Sequence, residues 1–117
     1  MENPAWLNDQ SVPIIVMDSR GMILRVNPLF EKEFAWRGDD LAGRPVSTII
    51  PPNLRDAHNM GFSRYLLSKT STLLNQDLDL EILKGTGEIL LARHHIVAAV
   101  EGGEQIFAAK IEVRGGS

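Results

Sequence analysis

The run from Ile14 to Phe30 leaves this chain few ways to fold. Ile14-Ile15-Val16-Met17-Asp18 is rich in β-branched residues and reads as a strand over about residues 13 to 18. Asp18-Ser19-Arg20-Gly21 then has hairpin-turn chemistry, with a short acceptor side chain at its start and a glycine at its end. Residues 22 to 27 alternate as a second strand. Asn27-Pro28 opens a helix, because Asn accepts hydrogen bonds from the free amides of a first turn and the fixed φ of Pro suits the first helical position. Leu29, Phe30 and Phe34 give that helix an apolar side, and Gly38 to Gly43 allow one further short turn.

Pro51-Pro52 opens a longer helix over about residues 52 to 68, with Leu54, His58, Phe62 and Tyr65 on one stripe. Three strands follow, at about 77 to 83, 88 to 99 and 104 to 113. Gly85-Thr86-Gly87 and Glu101-Gly102-Gly103 join them with links short enough for antiparallel hairpins. Two strands, then helices, then three strands make an α+β domain with an antiparallel sheet. Alternation assigns Leu78, Leu80 and Ile82, then Leu90, Ala92, His94, Ile96 and Ala98, then Phe107, Ala109, Ile111 and Val113 to the core face. The reverse face is not cleanly polar. Leu91, Val97, Ile106 and Ala108 point there beside Arg93 and His95. An apolar surface of that kind marks an interface, and an N-terminal arm with Trp6 and Leu7 (residues 1–10), a second subunit, or both are expected to cover it. Residues 11–113 form the domain proper, and 114–117 read as a linker or appended tail.

Composition narrows the function. The chain of 117 residues carries 12 Lys and Arg against 15 Asp and Glu, and the cations form no basic block, so a nucleic-acid footprint is missing. No apolar run is long enough to span a bilayer and no signal-peptide pattern opens the chain, which makes a cytoplasmic location the expectation. With no cysteine, thiolate metal sites, disulfides and thiol nucleophiles are excluded. Serine stands in no nucleophile elbow and no acid–base pair converges, so an enzyme is not expected. His94-His95 is not a metal pair, because adjacent strand residues face opposite ways. Asp39-Asp40 suits the cap of a short turn, and Asp77, Asp79 and Glu81 read as a solvated strand face.

Asp18-Ser19-Arg20-Gly21, Val26-Asn27-Pro28, the Gly38-to-Gly43 segment before Arg44-Pro45-Val46, and the Gly85-Thr86-Gly87 hairpin occur in an order that resembles PAS domains over about residues 8 to 113. The resemblance implies a five-stranded antiparallel sheet in the order 2-1-5-4-3 with helices on one face. It also implies a sensory module of a larger signalling protein, such as a histidine kinase, a cyclic-nucleotide or diguanylate enzyme, or a chemoreceptor. Such a module senses a small ligand or mediates dimerisation, and a homodimer through the outer sheet face and the arm is expected. The cysteinyl-flavin photochemistry of light-sensing relatives is excluded by the missing cysteine.

The segment from Ile49 to Tyr65 further resembles the long helix of haem-binding oxygen sensors of that family. The resemblance implies His58 as the iron ligand and Arg64 as the partner of a haem propionate. His94, facing the same cavity, would be a distal residue or a second axial ligand, with Phe62, Leu78 and Ile96 as further pocket-facing candidates. The pattern departs from those sensors at Leu78, where they place an Arg to hold bound gas, so their oxygen mechanism does not carry over. Both histidines have a plainer reading as well: His58 packed against the sheet with a hydrogen bond, and His94 as a satisfied core residue. The cofactor therefore stays open, with haem as one possibility and metal ligation confined to His58 in that case.

Overall fold

The computed structural model describes residues 3–52 and 77–113. After a short 3-10 turn, Ala5–Asn8, come β1 (Ile14–Asp18), β2 (Ile23–Val26), α1 (Pro28–Phe34), α2 (Gly38–Leu41) and a second 3-10 turn, Val46–Ile49. Then follow β3 (Asp77–Leu83), β4 (Ile89–Glu101) and β5 (Glu104–Val113). The five strands form one antiparallel sheet in the order β2-β1-β5-β4-β3, the order the resemblance implies. The long helix expected over 52 to 68 lies outside the described residues from position 53 onward.

The first hairpin works as its residues suggest. Asp18 Oδ1 accepts from the amides of Arg20 and Met22, and Gly21 takes a φ of 83°. One feature breaks simple alternation. Val16 pairs with Arg25 and Met17 with Ile23, so Leu24 is the extra residue of a β-bulge. The bulge lets Ile23 and Val26 share the core face although they are three residues apart, and it leaves Leu24 42% exposed. The outer edge of β2 is not bare. Gly43 donates to the Ile23 carbonyl and the Ile23 amide donates to Arg44, which satisfies backbone groups an edge strand would otherwise present.

Asn27 does more than cap α1. Its Oδ1 accepts from the Phe30 amide and from the Ile14 amide, each at 3.0 Å, while Nδ2 donates to the carbonyls of Val12 (2.7 Å) and Asp9 (3.1 Å). One side chain thus joins the arm, β1 and the helix. Asp39 and Asp40 sit in the first turn of α2, where negative charge suits the helix dipole. The side chain that closes on its first amide, Gly38, is Glu31.

Two cores lie on the two faces of the sheet. Under α1, α2 and the second 3-10 turn, Phe30, Phe34 and Leu41 pack on Ile15, Met17, Ile23, Ile82, Ala92, Phe107, Ala109 and Ile111. The rings of Phe30 and Phe34 stand 4.9 Å apart, tilted by 55°. On the reverse face Leu7 joins Ile14, Val16, Val97, Ala99, Ile106 and Ala108, with Trp6 and Val12 packed against them. The face assignments of β4 and β5 hold residue by residue. Leu80 is the exception: it shares the face of Ile82 but is 41% exposed, because β3 is the edge strand and only its far end reaches the core under α1.

Candidate functional site

His94 is the one buried polar side chain among the described residues, 8% exposed. The register sets it between Leu78 of β3 and Ile111 of β5, with Ala92 and Ile96 as its neighbours along β4. Its Nδ1 lies 3.0 Å from the Ala92 carbonyl oxygen. A carbonyl can only accept, so Nδ1 carries the hydrogen, and in the neutral ring Nε2 presents a lone pair. Burial pushes the imidazole below its ordinary pKa, opposed by the hydrogen bond to Ala92 and by the charge of Asp79. Leu78 and Ile96 are half-buried on the same face. His58, Phe62 and Arg64 lie outside the described residues. The described residues around His94 form a hydrocarbon wall bearing one hydrogen-bond acceptor.

His95 faces the other way. Its Nδ1 lies 3.0 Å from Asp77 Oδ1, and its ring meets Trp6 edge-on with centroids 6.4 Å apart. Lys110 Nζ stands 5.6 Å from the centroid of the Trp6 ring. The arm is therefore held by an aromatic contact to two strands as well as by Leu7. Asn3 adds a further tie: its side-chain amide donates to the Val100 carbonyl at 2.7 Å and accepts from the Val100 amide at 2.9 Å. Among the described residues, that contact falls on the stretch of β4 beyond the last pair with β3, Asp77 with His95. No sequence pattern signals it, since only the strand order brings residues 3 and 100 together. Two of the three acidic residues of β3 are drawn into pairs, Asp77 with His95 and Asp79 with Arg93 at 3.9 Å. Among the described residues no group of three His, Asp or Glu side chains could hold a metal ion.

A groove of about 510 Å³ lies elsewhere, where the arm passes the ends of α1 and β5. Trp6, Asp9, Val12, Leu29, Glu33 and Lys110 are among its lining residues. Its walls mix charges of both signs with scattered apolar groups, and Asp9 is already committed to Ser11, whose hydroxyl and amide hold its carboxyl below the ordinary range. The His94 wall combines burial with an open acceptor, and this groove does not. No helix among the described residues is long and apolar enough to cross a membrane.

Comparison with known proteins agrees with this architecture. The family model described as the PAS fold matches residues 2–107. An uncharacterised protein of Azorhizobium caulinodans is 29% identical over 106 residues, which are 90% of this chain and 14% of that protein. The chain thus spans about a seventh of the length of that relative. The PAS domain of an HTR-like protein from Haloarcula marismortui superposes with a TM-score of 0.73 at 18% identity, covering 93% of this chain and 86% of that one. A PAS domain from a two-component sensor histidine kinase gives a TM-score of 0.70 at 10% identity, covering 92% and 88%.

Proposed function

Since this chain belongs to the PAS fold family, we propose that it is a sensory domain of a larger signal-transduction protein, regulating an attached effector and catalysing nothing itself. The observation that carries this reading is the position of β5. It lies between β1 and β4, buries Phe107, Ala109 and Ile111 against the helices, and buries Ile106 and Ala108 against the arm. A ligand on the His94 side that shifts β4 or β5 therefore shifts the surface on which Leu7 and Trp6 rest, and the arm changes its population of docked states. The likeness to a PAS domain of a sensor kinase and the greater length of the Azorhizobium relative support a place within a longer signalling chain. Residues of the reverse face outside the arm's footprint, Ile89 and Leu91, are 46% and 50% exposed and supply the apolar part of a homodimer contact.

The test is a chimera in which this chain replaces the sensory domain of a histidine kinase, with autophosphorylation measured for the parent and for Leu7→Asp. A change in kinase output of several-fold on undocking the arm supports the reading. Equal output from both, with the folded domain retained by circular dichroism, overturns it.

A second reading rests on His94. A neutral imidazole with a free Nε2 is also a competent iron ligand. A haem-based gas or redox sensor, with His58 as proximal ligand, Arg64 on a propionate and His94 as distal residue, is thus the alternative. Haem would supply the gas- or electron-binding iron, and His94 would supply a hydrogen-bond acceptor or ligand beside it. Reconstitution decides: a Soret band lost in His58→Ala supports this reading, and no band removes it.

A further inference from the structure

We propose that the ligand recognised by this domain is an uncharged, largely apolar molecule carrying a hydrogen-bond donor, and that His94 Nε2 is the acceptor that selects it. This rests on the reading of the chain as a sensor and names the ligand class of its site. His94 is 8% exposed, so water does not freely serve its ring. Its Nδ1 hydrogen is committed to the Ala92 carbonyl, which leaves Nε2 able only to accept. Among the described residues no donor reaches Nε2. The flanking residues are hydrocarbon: Leu78 and Ile111 across the strands, Ile96 along β4. Ala92, Ala98 and Ala109 on the same face carry only methyl groups, so the wall is low beside the ring.

A buried acceptor without a donor is costly, and a ligand that brings an O–H or N–H removes that cost. Close analogues are rejected on the same ground. A molecule of equal shape without the donor leaves Nε2 bare, and a carboxylate sets its own lone pairs against it. A charged group must also shed its water to enter a hydrocarbon setting. Selection by a single buried polar group of this kind is strong because the wrong ligand leaves the protein atom unpaired.

Matched probe pairs test this on the purified chain: phenol against anisole, indole against 1-methylindole, with benzoate as the anion. Affinities come from titration, and long-range proton–nitrogen NMR reads the protonation of His94 Nε2. Phenol and indole are expected to bind about tenfold more tightly than their methylated partners, as one hydrogen bond to a buried acceptor requires, and to move the Nε2 resonance. His94→Leu is expected to level each pair, and His94→Gln, which keeps an acceptor, to restore part of the difference. Equal binding within both pairs, benzoate binding most tightly, no binding by any probe, or a proton on Nε2 in the free protein each overturns the inference. The kinase chimera keeps the two readings apart. Regulated output with levelled pairs removes the ligand class alone, whereas discriminating pairs with an unresponsive chimera remove the sensory reading.

Discussion

The Gly85 amide donates to the Phe34 carbonyl at 2.9 Å, which stitches the β3–β4 turn to the last turn of α1. The Trp36 indole adds a second stitch to the Leu83 carbonyl, also at 2.9 Å. A Cβ at position 85 would collide with the carbonyl oxygen of Ala35, a backbone atom that cannot swing aside. Gly85→Ala should therefore destabilise the domain by roughly 1–3 kcal/mol, the range for overpacking. Urea unfolding should show a lower midpoint with an unchanged slope. Thr86→Ala, one residue along the same exposed turn, is the control and should stay within about 0.5 kcal/mol.

Ala35 itself ends α1 in the left-handed region, with φ 58° and ψ 36°. That conformation strains any side chain by about 1 kcal/mol, and glycine relieves it at some entropic cost in the unfolded chain. Ala35→Gly should stabilise the domain by about 0.5 kcal/mol, seen as a small rise in melting temperature.

Asn27 offers a sharper dissection, because its two side-chain atoms serve different neighbours. Asn27→Asp keeps the acceptor for Phe30 and Ile14 but loses the donor and sets a carboxylate against the carbonyls of Asp9 and Val12. Asn27→Ala loses all four bonds and should cost about 1–3 kcal/mol, one part from the cap and the rest from part-buried backbone groups left unpaired. Hydrogen exchange should separate the variants. Asp should speed exchange around Ser11 and the arm while sparing Phe30, and Ala should speed both.

What sequence reasoning could reach here follows from which interactions are periodic and which are single. Strand count, hairpin links and the faces of β4 and β5 are written in two-residue alternation and glycine punctuation, so they were readable. The strand order came from the resemblance, as no local pattern pairs β1 with β5. The opposite facing of His94 and His95 followed from the strand period alone. The bulge at Leu24 was not readable, because an inserted residue leaves no composition signal and only the mismatch of Val16–Arg25 with Met17–Ile23 reveals it. The same holds for the close approach of Gly85 to Ala35 and for the amide of Asn3 on Val100, both set by tertiary neighbours. Leu80 misled alternation, since sharing a face with Ile82 does not guarantee cover at a sheet edge. The shared face of His94, Leu78 and Ile96 was legible from alternation, whereas the register that sets Leu78 and Ile111 beside His94, and its tautomer, are set by the fold.

Arg25 and Glu101 form a two-pronged ion pair, with Nη1 to Oε1 at 2.7 Å and Nη2 to Oε2 at 2.6 Å. The hydrogen bond from Arg25 holds the Glu101 carboxyl below its ordinary range. Both side chains are about two-fifths exposed, so solvent screening limits the pair to less than about 1 kcal/mol. A folded pKa below the unfolded one gives stability that is present above the unfolded value and lost as pH falls through the folded one. A double-mutant cycle of Arg25→Ala and Glu101→Ala should show a small coupling at pH 7 that fades in acid and in high salt.

His94 sets a second acid sensitivity with the same sign and a higher window. Burial lowers its folded pKa beneath the ordinary imidazole value, against the smaller pull of the Ala92 hydrogen bond and of Asp79. Between the folded and unfolded values the unfolded chain holds one more proton, so stability rises with pH there. The contribution is complete above the unfolded value and disappears as pH falls through the folded one. The denaturation midpoint of the parent should drop as pH is lowered below the usual histidine range, and His94→Leu should flatten that part of the profile. Asp79→Asn removes the charge that favours the imidazolium and should push the His94 titration lower still, measured by NMR. A His94 ring that titrates at or above the ordinary value would mean that burial does not favour its neutral form, the form in which Nε2 accepts.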